Sequence, residues 1–251
     1  MTTAELFVLA AAFAVLATLY STVGHGGGSG YLMAMGVAVV AAEVMKPTAL
    51  TLNLFVASVA LVRFGRVGAF HWRTLWPFVI TSLPCAMLGG AIDLDPVLYK
   101  RLVGVVLLLA AARLAYRIPG PRADEPQRDV PVPAGLACGA AIGLLSGLVG
   151  VGGGIFLSPI LLIFGWSTAR RTAGISAAFI LINSAAALIG LIARHGAPPI
   201  DPAATGVFVM AVIGGGLIGT SIGARRLGHV GLRRMLAVVV FVGGLKMILI
   251  S

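Results

Sequence analysis

The stretch VGHGGGSG at residues 23–30 decides the fold, because it interrupts a long apolar run and is partly repeated as VGVGGG at residues 149–154. The two copies are separated by an offset of 126 residues. Glycine tolerates backbone conformations with positive φ and lets other groups approach the main chain closely. Two such interruptions predict two copies of one unit, each with a turn inside it.

Further matches between the halves support an internal duplication. Residues 49–51 align with 174–176 and Ser58 with Asn183 at an offset of 125, 88–90 with 217–219 at 129, and 100–101 with 233–234 at 133. Loop insertions produce small changes of offset of this kind. The proline-rich and charged stretch between the copies is typical of a solvated linker. We therefore predict a first repeat at 1–117, a linker at 118–133 and a second repeat at 134–251.

The composition excludes a water-soluble globule. Of the 251 residues, 59% are hydrophobic and 10% are charged, with a mean hydropathy of +1.05. Soluble domains contain roughly 45–50% apolar and about 25% charged residues. The composition therefore predicts an integral membrane protein whose surroundings are the lipid bilayer. Its net charge of +10 is explained by membrane topology rather than by nucleic-acid binding.

Apolar runs and breakers predict a chain of helical segments. They lie at 6–23, 29–42, 47–62, 74–92 and 97–116 in the first half, and at 132–149, 155–166, 172–193, 202–222 and 231–250 in the second. The segments at 29–42 and 155–166 are about 21 and 18 Å long as helices, too short for a hydrocarbon core of about 30 Å. We therefore predict an all-α polytopic protein of two repeats, each a broken-helix hairpin with a glycine turn followed by three transmembrane helices.

The basic residues predict the orientation in the membrane. Because each half has five segments, the second repeat should be inverted relative to the first. Thirteen of the 18 Lys and Arg residues then fall on one side and five on the other. The positive-inside rule makes the basic side cytoplasmic. We expect a multi-pass protein of the inner membrane, with a cytoplasmic linker and both termini periplasmic.

The polar residues inside the segments favour an anion as the ligand. No Asp or Glu lies within a predicted segment, whereas cation sites at that depth usually contain one. Hydroxyl and amide side chains occur there instead, at Ser29, Thr51, Asn53, Ser58, Ser158, Ser176 and Asn183. Thr51 with Ser176, and Ser58 with Asn183, recur at matching repeat positions. A helix that begins after a glycine turn also presents free N–H groups and the positive end of its dipole.

These observations give a candidate substrate-binding site between the two glycine turns. Its predicted members are Gly24, His25, Gly26, Gly27, Gly28, Ser29, Thr51, Gly150, Gly152, Gly153, Gly154, Ser176 and Asn183. His25 could carry a proton at physiological pH, or could be a neutral ring hydrogen-bonded to a carbonyl group. We expect no metal, no cofactor and no catalytic residue, and the chain has no GxxxxGK[ST] loop for ATP.

The two glycine motifs resemble those of the sulfite exporter (TauE/SafE) family, also grouped as toluene sulfonate uptake permeases. The Ala-Leu-Thr and Gly-Ile-Ser stretches that begin at Ala49 and Gly174, and the Leu-Gly-Gly and Leu-Ile-Gly stretches that begin at Leu88 and Leu217, support the resemblance. It covers nearly the whole chain outside the linker. It implies a bacterial inner-membrane transporter of sulfite, sulfonates or related sulfur-containing anions.

The leading functional prediction is therefore secondary transport of a small sulfur-containing anion. Two alternatives remain open from the sequence. One is an intramembrane enzyme in which His25 acts as acid or base, and the other is a channel or a metal or cation permease. The sequence also leaves open a homodimer.

Overall fold

The computed structural model describes residues 2–115 and 127–225, together with 241, 244–246, 248 and 249. Within these residues every regular element is a helix. The helices are α1 (Thr3–Ser21), α2 (Gly28–Val37), α3 (Ala42–Arg66), α4 (Trp72–Ala91), α5 (Pro96–Ala115), α6 (Val132–Val149), α7 (Gly154–Ile163), α8 (Ala169–His195) and α9 (Pro202–Arg225). Residues 118–126 of the predicted linker and most of the predicted segment 231–250 lie outside the described residues.

The helices fall into two length classes that confirm the prediction of long and short segments. Six of the described helices are long and apolar enough to cross a membrane: α1, α3, α4, α6, α8 and α9. By contrast, α2 and α7 each have ten residues. Ten helical residues are only about 15 Å long. Neither short helix can cross a bilayer, so each ends within the thickness of the protein.

Helix α3 begins earlier than the sequence predicted. The predicted segment starts at residue 47, where the apolar run begins after Glu43 and Lys46. In the structure α3 begins at Ala42 and continues through Pro47, whose missing N–H removes one hydrogen bond without ending the helix. Glu43 and Lys46 therefore belong to a membrane-spanning helix rather than to a loop. For Glu43, this corrects the prediction that no Asp or Glu lies within a segment.

The packing of the helices is equivalent in the two halves. Helix α4 packs on α6 and α8. Its counterpart in the second half, α9, packs on α1 and α3, which are the counterparts of α6 and α8. The pair α3 and α8 packs together at the centre. This pattern agrees with a duplication. The inverted orientation of the two repeats in a membrane stays a prediction.

Glycine ridges bring two of these helix pairs into close contact. On α6, a side chain at Gly139, Gly143 or Gly147 would meet the backbone carbonyl groups of α4. On α9, a side chain at Gly215 or Gly219 would meet those of α1. Small residues at a spacing of four are a common way for membrane helices to approach closely. These glycines therefore have packing roles separate from those of the turns.

The described residues form two larger apolar clusters and a smaller one between α3 and α8. One of the larger clusters is built mainly from α1, α2, α3, α5 and α9, and the other from α4, α6, α7 and α8. Large apolar side chains are also exposed on the outer faces of the helices, for example Val8 at 72% and Met210 at 71%. An apolar outer surface is suited to lipid rather than to water.

Candidate functional site

The first glycine turn joins α1 to α2. Gly24 and Gly27 have φ values of +75° and +92°, a region that L-residues with side chains rarely adopt. The hydroxyl of Tyr31 donates a hydrogen bond to the carbonyl oxygen of Gly26 at 2.9 Å. These features let the chain leave α1 and begin α2 with its first amide groups at the turn.

The second glycine turn joins α6 to α7 in the same way. Gly150, Gly152 and Gly153 have φ values of +89°, +84° and +80°. Before the turn, the carbonyl oxygen of Val149 accepts a hydrogen bond from the Tyr99 hydroxyl at 3.1 Å. Both short helices thus begin one residue after a left-handed glycine, Gly27 or Gly153.

The two turns meet at Asn53 of α3 and Ile180 of α8. A Cβ atom built on Gly26 would lie 2.8 Å from Asn53 Oδ1 and 2.9 Å from Ile180 Cγ2. One built on Gly152 would lie 2.8 Å from Ile180 Cγ2 and 3.0 Å from Asn53 Nδ2. Each turn therefore contacts the same two side chains, near the middle of the central helix pair. Only glycine fits these positions without displacing a neighbour.

Hydrogen-bonding groups at this meeting point have no partner within the described residues. The Asn53 side chain is 0% exposed, and neither its oxygen nor its nitrogen forms a hydrogen bond. The Ser184 hydroxyl, which would lie 3.0 Å from a Cβ on Gly152, is also unpartnered. Buried polar groups are normally hydrogen-bonded, so each exception needs an explanation.

Backbone amide groups add to this set of donors. The hydrogen bonds of the described residues leave the N–H groups of Gly26, Gly27 and Gly28 without an acceptor, and likewise those at 152–154. The first N–H groups of a helix are unpaired by geometry and favour negative charge. The site can therefore offer amide donors from both halves of the chain.

A hydrogen-bonded chain of side chains also connects the halves. His25 Nε2 lies 3.1 Å from Ser158 Oγ, which lies 2.8 Å from Ser176 Oγ. The other ring nitrogen of His25 lies 3.1 Å from the carbonyl oxygen of Val23. His25 of the first turn is thus joined to α7 and α8 of the second half.

The structure places the predicted site residues in three settings. Gly26, Gly28 and Gly152 contact Asn53, and Gly154 contacts Ile180. His25 and Ser176 belong to the hydrogen-bonded chain. The remaining predicted residues contact other parts of the protein, as follows.

Four predicted glycines pack away from Asn53 and Ile180. The nearest atoms to a side chain at each one belong to Ala173 for Gly24, Tyr31 for Gly27, Lys46 for Gly150, and Ile142 and Phe179 for Gly153. These contacts involve glycine positions with positive φ, so the four residues shape the turns.

The polar residues predicted beside the glycines are not all free to meet a ligand. Ser29 donates a hydrogen bond to the Tyr20 hydroxyl at 3.0 Å. Asn183 donates to the carbonyl oxygen of Phe179 at 2.8 Å, although its Oδ1 has no partner in the described chain. Thr51 is half-buried, and no hydrogen bond of its hydroxyl joins it to the glycine turns within the described residues.

Asn53, Ser158, Ser184 and Lys46 are neighbours of the turns that the predicted site omitted. Asn53 and Ser158 are polar residues inside apolar segments, which is the sequence feature that could have identified them. Within the described ranges, no group of three His, Cys, Asp or Glu side chains is placed to hold a metal ion.

Comparisons with known proteins agree on the class of protein. Residues 8–247 match the sequence model of the family described as Sulfite exporter TauE/SafE. The chain is 40% identical over 248 residues to the probable membrane transporter protein y4hK of Sinorhizobium fredii, covering 97% of this chain and 98% of that protein. It is 26% identical over 141 residues to a probable membrane transporter protein of Methanocaldococcus jannaschii, covering 55% of this chain and 51% of that one. No solved structure gives a significant match.

Proposed function

Because this chain belongs to the sulfite exporter TauE/SafE family of membrane transporters, we propose that it moves a small sulfur-containing anion by secondary transport. The family description names sulfite, and small sulfonates carry a similar group of sulfur-bound oxygens. The membrane would be the bacterial inner membrane. The anion would bind between the two glycine turns, near Asn53 and Ile180.

The observation that carries this proposal is the convergence of unpartnered donors from both repeats. An unsolvated anion in a low-dielectric interior is very costly, so a transporter must replace its water with hydrogen-bond donors. The glycine turns supply free amide groups, and Asn53 and Ser184 supply unpartnered side chains. Dipoles and neutral donors bind an anion without the strong pairing of a fixed arginine, which suits a site that must also release its substrate.

Replacing Asn53 by Leu is the sharpest test of this site. Leu has a similar shape and removes two polar atoms that form no hydrogen bond in the described chain. Removing unpartnered buried polar groups is close to neutral or stabilising for folding. We therefore expect Asn53→Leu to keep or raise the melting temperature in detergent and to abolish uptake of radiolabelled sulfite into proteoliposomes.

Ser58→Ala is the matched control, because Ser58 lies on the same helix and, within the described part of the chain, donates only to the Leu54 carbonyl of its own helix. It should leave sulfite uptake unchanged. Normal uptake by Asn53→Leu would show that the anion binds elsewhere. Valine at Gly153 would be a poorer probe, since its Cβ would lie 2.9 Å from both Ile142 and Phe179 and would strain the fold itself.

The substrate class can be tested with the purified protein. A thermal-shift series would compare sulfite, thiosulfate, sulfoacetate, sulfate, chloride and nickel. We expect stabilisation by one or more of the sulfur-containing anions. Stabilisation by nickel alone would support a metal permease, and chemical conversion of a bound anion would support the enzyme alternative with His25.

The proposed orientation places both termini in the periplasm and the linker in the cytoplasm. A cysteine replacing Ala123 of the linker, in a protein lacking Cys85 and Cys138, would be tested in intact cells with a membrane-impermeant thiol reagent. We expect no labelling until the inner membrane is permeabilised. Labelling of this cysteine while the inner membrane is intact would show that the linker is periplasmic and would contradict the proposed topology.

A further inference from the structure

A cavity of about 360 Å³ lies beside the second glycine turn, where the start of α3, the ends of α4 and α8 and the start of α5 meet. Its polar lining includes Glu43, Lys46, Asp93, Tyr99 and His195. A water molecule occupies about 30 Å³ of liquid volume, so the cavity has room for a small oxyanion with part of its hydration shell. In the proposed topology it opens toward the periplasm.

Lys46 is the cation at the inner part of this cavity. Its ammonium group donates hydrogen bonds to the carbonyl oxygens of Gly89, Gly90 and Ile92, at 3.1, 2.9 and 3.4 Å. These carbonyl groups belong to the last turn of α4 and to the residue after it. They hold the ammonium in place but carry no formal charge. Within the described chain Lys46 makes no ion pair, so no carboxylate neutralises it directly.

The acidic residues of the cavity lie at its rim. Asp93 is 78% exposed and pairs with His195 at 3.1 Å, and its carboxylate also attracts the Lys46 ammonium through space. Glu43 is exposed in the first turn of α3. Exposed carboxylates are screened by water and salt, whereas a half-buried ammonium is screened less. Lys46 is therefore the half-buried charge of the lining, whereas the two carboxylates are exposed.

The inner end of the cavity adjoins the second glycine turn. A Cβ atom on Gly150 would lie 3.2 Å from the Lys46 carbonyl oxygen and 3.4 Å from its Cγ. Tyr99, another lining residue, donates a hydrogen bond to the carbonyl oxygen of Val149, just before the turn. Two lining residues, Lys46 and Tyr99, thus contact the turn that contributes to the proposed central site.

We propose that this cavity is a second anion site, in which Lys46 binds a small sulfur oxyanion or sulfonate on the periplasmic side of the central site. The inference rests on the proposed function for the identity of the substrate. An ionisable side chain that faces a cavity in a membrane protein is commonly part of a substrate pathway. Lys46 would raise the local concentration of the anion and pass it to the donors of the glycine turns.

The first test measures sulfite transport from each side of oriented proteoliposomes. Lys46→Gln should raise KM from the periplasmic face by about tenfold, the loss of about 1.4 kcal/mol of binding free energy, and should change KM less from the opposite face. Lys46→Arg keeps the charge and should retain most of the affinity. Arg101→Gln, which removes an exposed cation from the start of α5, should leave KM unchanged.

A structural role for Lys46 would give a different result. If the ammonium only caps the carbonyl groups of α4, Lys46→Gln would lower the melting temperature and leave KM unchanged from both faces. That outcome would overturn the proposal. If Asn53→Leu transports sulfite normally while Lys46→Gln still raises KM from the periplasmic face, the central site fails and the Lys46 site stands.

A second test does not depend on the transported substrate. A cysteine replacing Ala197, an exposed residue of the cavity lining, would be modified by an anionic and a cationic methanethiosulfonate in a protein lacking Cys85 and Cys138. With Lys46 present, the ratio of anionic to cationic reaction rates should be several-fold higher than with Lys46→Gln. Methanesulfonate should slow the anionic reagent only when Lys46 is present. An unchanged rate ratio would overturn the proposal.

Discussion

The first glycine turn is braced by polar side chains, whereas the equivalent positions of the second turn are apolar. In the first turn, the Tyr31 hydroxyl holds the Gly26 carbonyl and His25 contacts Ser158. At an offset of 126, Tyr31 corresponds to Leu157 and His25 to Val151. Both of these residues are buried in the apolar clusters, at 0% and 4% exposure.

The backbones of the two turns also differ in how they are constrained. The second turn has three glycines with positive φ, and the first has two. The second turn therefore depends more on glycine itself, and the first depends more on hydrogen bonds from side chains. The duplicated unit preserved the break between a long and a short helix, while the polar chemistry around the break diverged.

The largest difference in stability between variants of the two turns should come from alanine substitutions at their first glycines. Alanine at Gly24 would place its Cβ against the Ala173 backbone of α8, 2.5 Å from the Ala173 Cα, with φ at +75°. At Gly150 the nearest atoms, all of Lys46, lie 3.2–3.4 Å away. We expect Gly24→Ala to cost about 2–5 kcal/mol and Gly150→Ala about 1–2 kcal/mol, the latter mainly from backbone strain.

The unfolding free energies of both variants can be measured by titration with SDS in mixed micelles. Each should be compared with Gly65→Ala, because a side chain at Gly65 would meet nothing within 4 Å. That control should be neutral or slightly stabilising in a helix. Equal losses at Gly24 and Gly150 would contradict the difference in packing between the turns.

A smaller effect on stability should come from removing the contact between His25 and Ser158. His25→Val gives the first turn the residue of the second, and Ser158→Ala removes the hydroxyl partner. Both atoms of this 3.1 Å contact are buried, so a double-mutant cycle should give a coupling of about 1 kcal/mol. The pair His25→Val and Ser58→Ala is the control and should be additive. A coupling near zero would show that this contact does not tie the halves together.

The fold could be predicted from the sequence because its main determinants are local. Apolar runs and their interruptions give helix positions directly, and the α6 bounds agree with the predicted segment 132–149. The lengths of α2 and α7 follow from the glycine turns that begin them. The start of α3 could not be predicted in this way. Pro47 favours a helix start, and only packing in the folded protein carries the helix back to Ala42.

The candidate site was predicted only in part, because its contacts join distant positions. Thr51 and Ser176 are both hydroxyl residues at matching repeat positions, whereas the counterpart of Asn53 at an offset of 125 is the apolar Ala178. The contact between His25 and Ser158 joins residues that are 133 positions apart in different repeats. No pattern along one chain encodes such a contact. The turns were identifiable, whereas the side chains that complete them required the structure.

The smallest expected changes in stability come from two tyrosines whose hydroxyl groups each hold a carbonyl group at a glycine turn. Tyr31 donates to the Gly26 carbonyl and Tyr99 to the Val149 carbonyl, at 2.9 and 3.1 Å. Each Tyr→Phe variant should lose about 1 kcal/mol of stability, the usual contribution of one such bond. The peptide plane is rigid, so fixing the Gly26 carbonyl also fixes the N–H of Gly27 on its opposite side. Tyr31→Phe should therefore weaken sulfite binding severalfold in a thermal-shift titration, and by more than Tyr99→Phe does. Equal effects of the two variants on binding would mean that the orientation of this amide group does not contribute to the anion site.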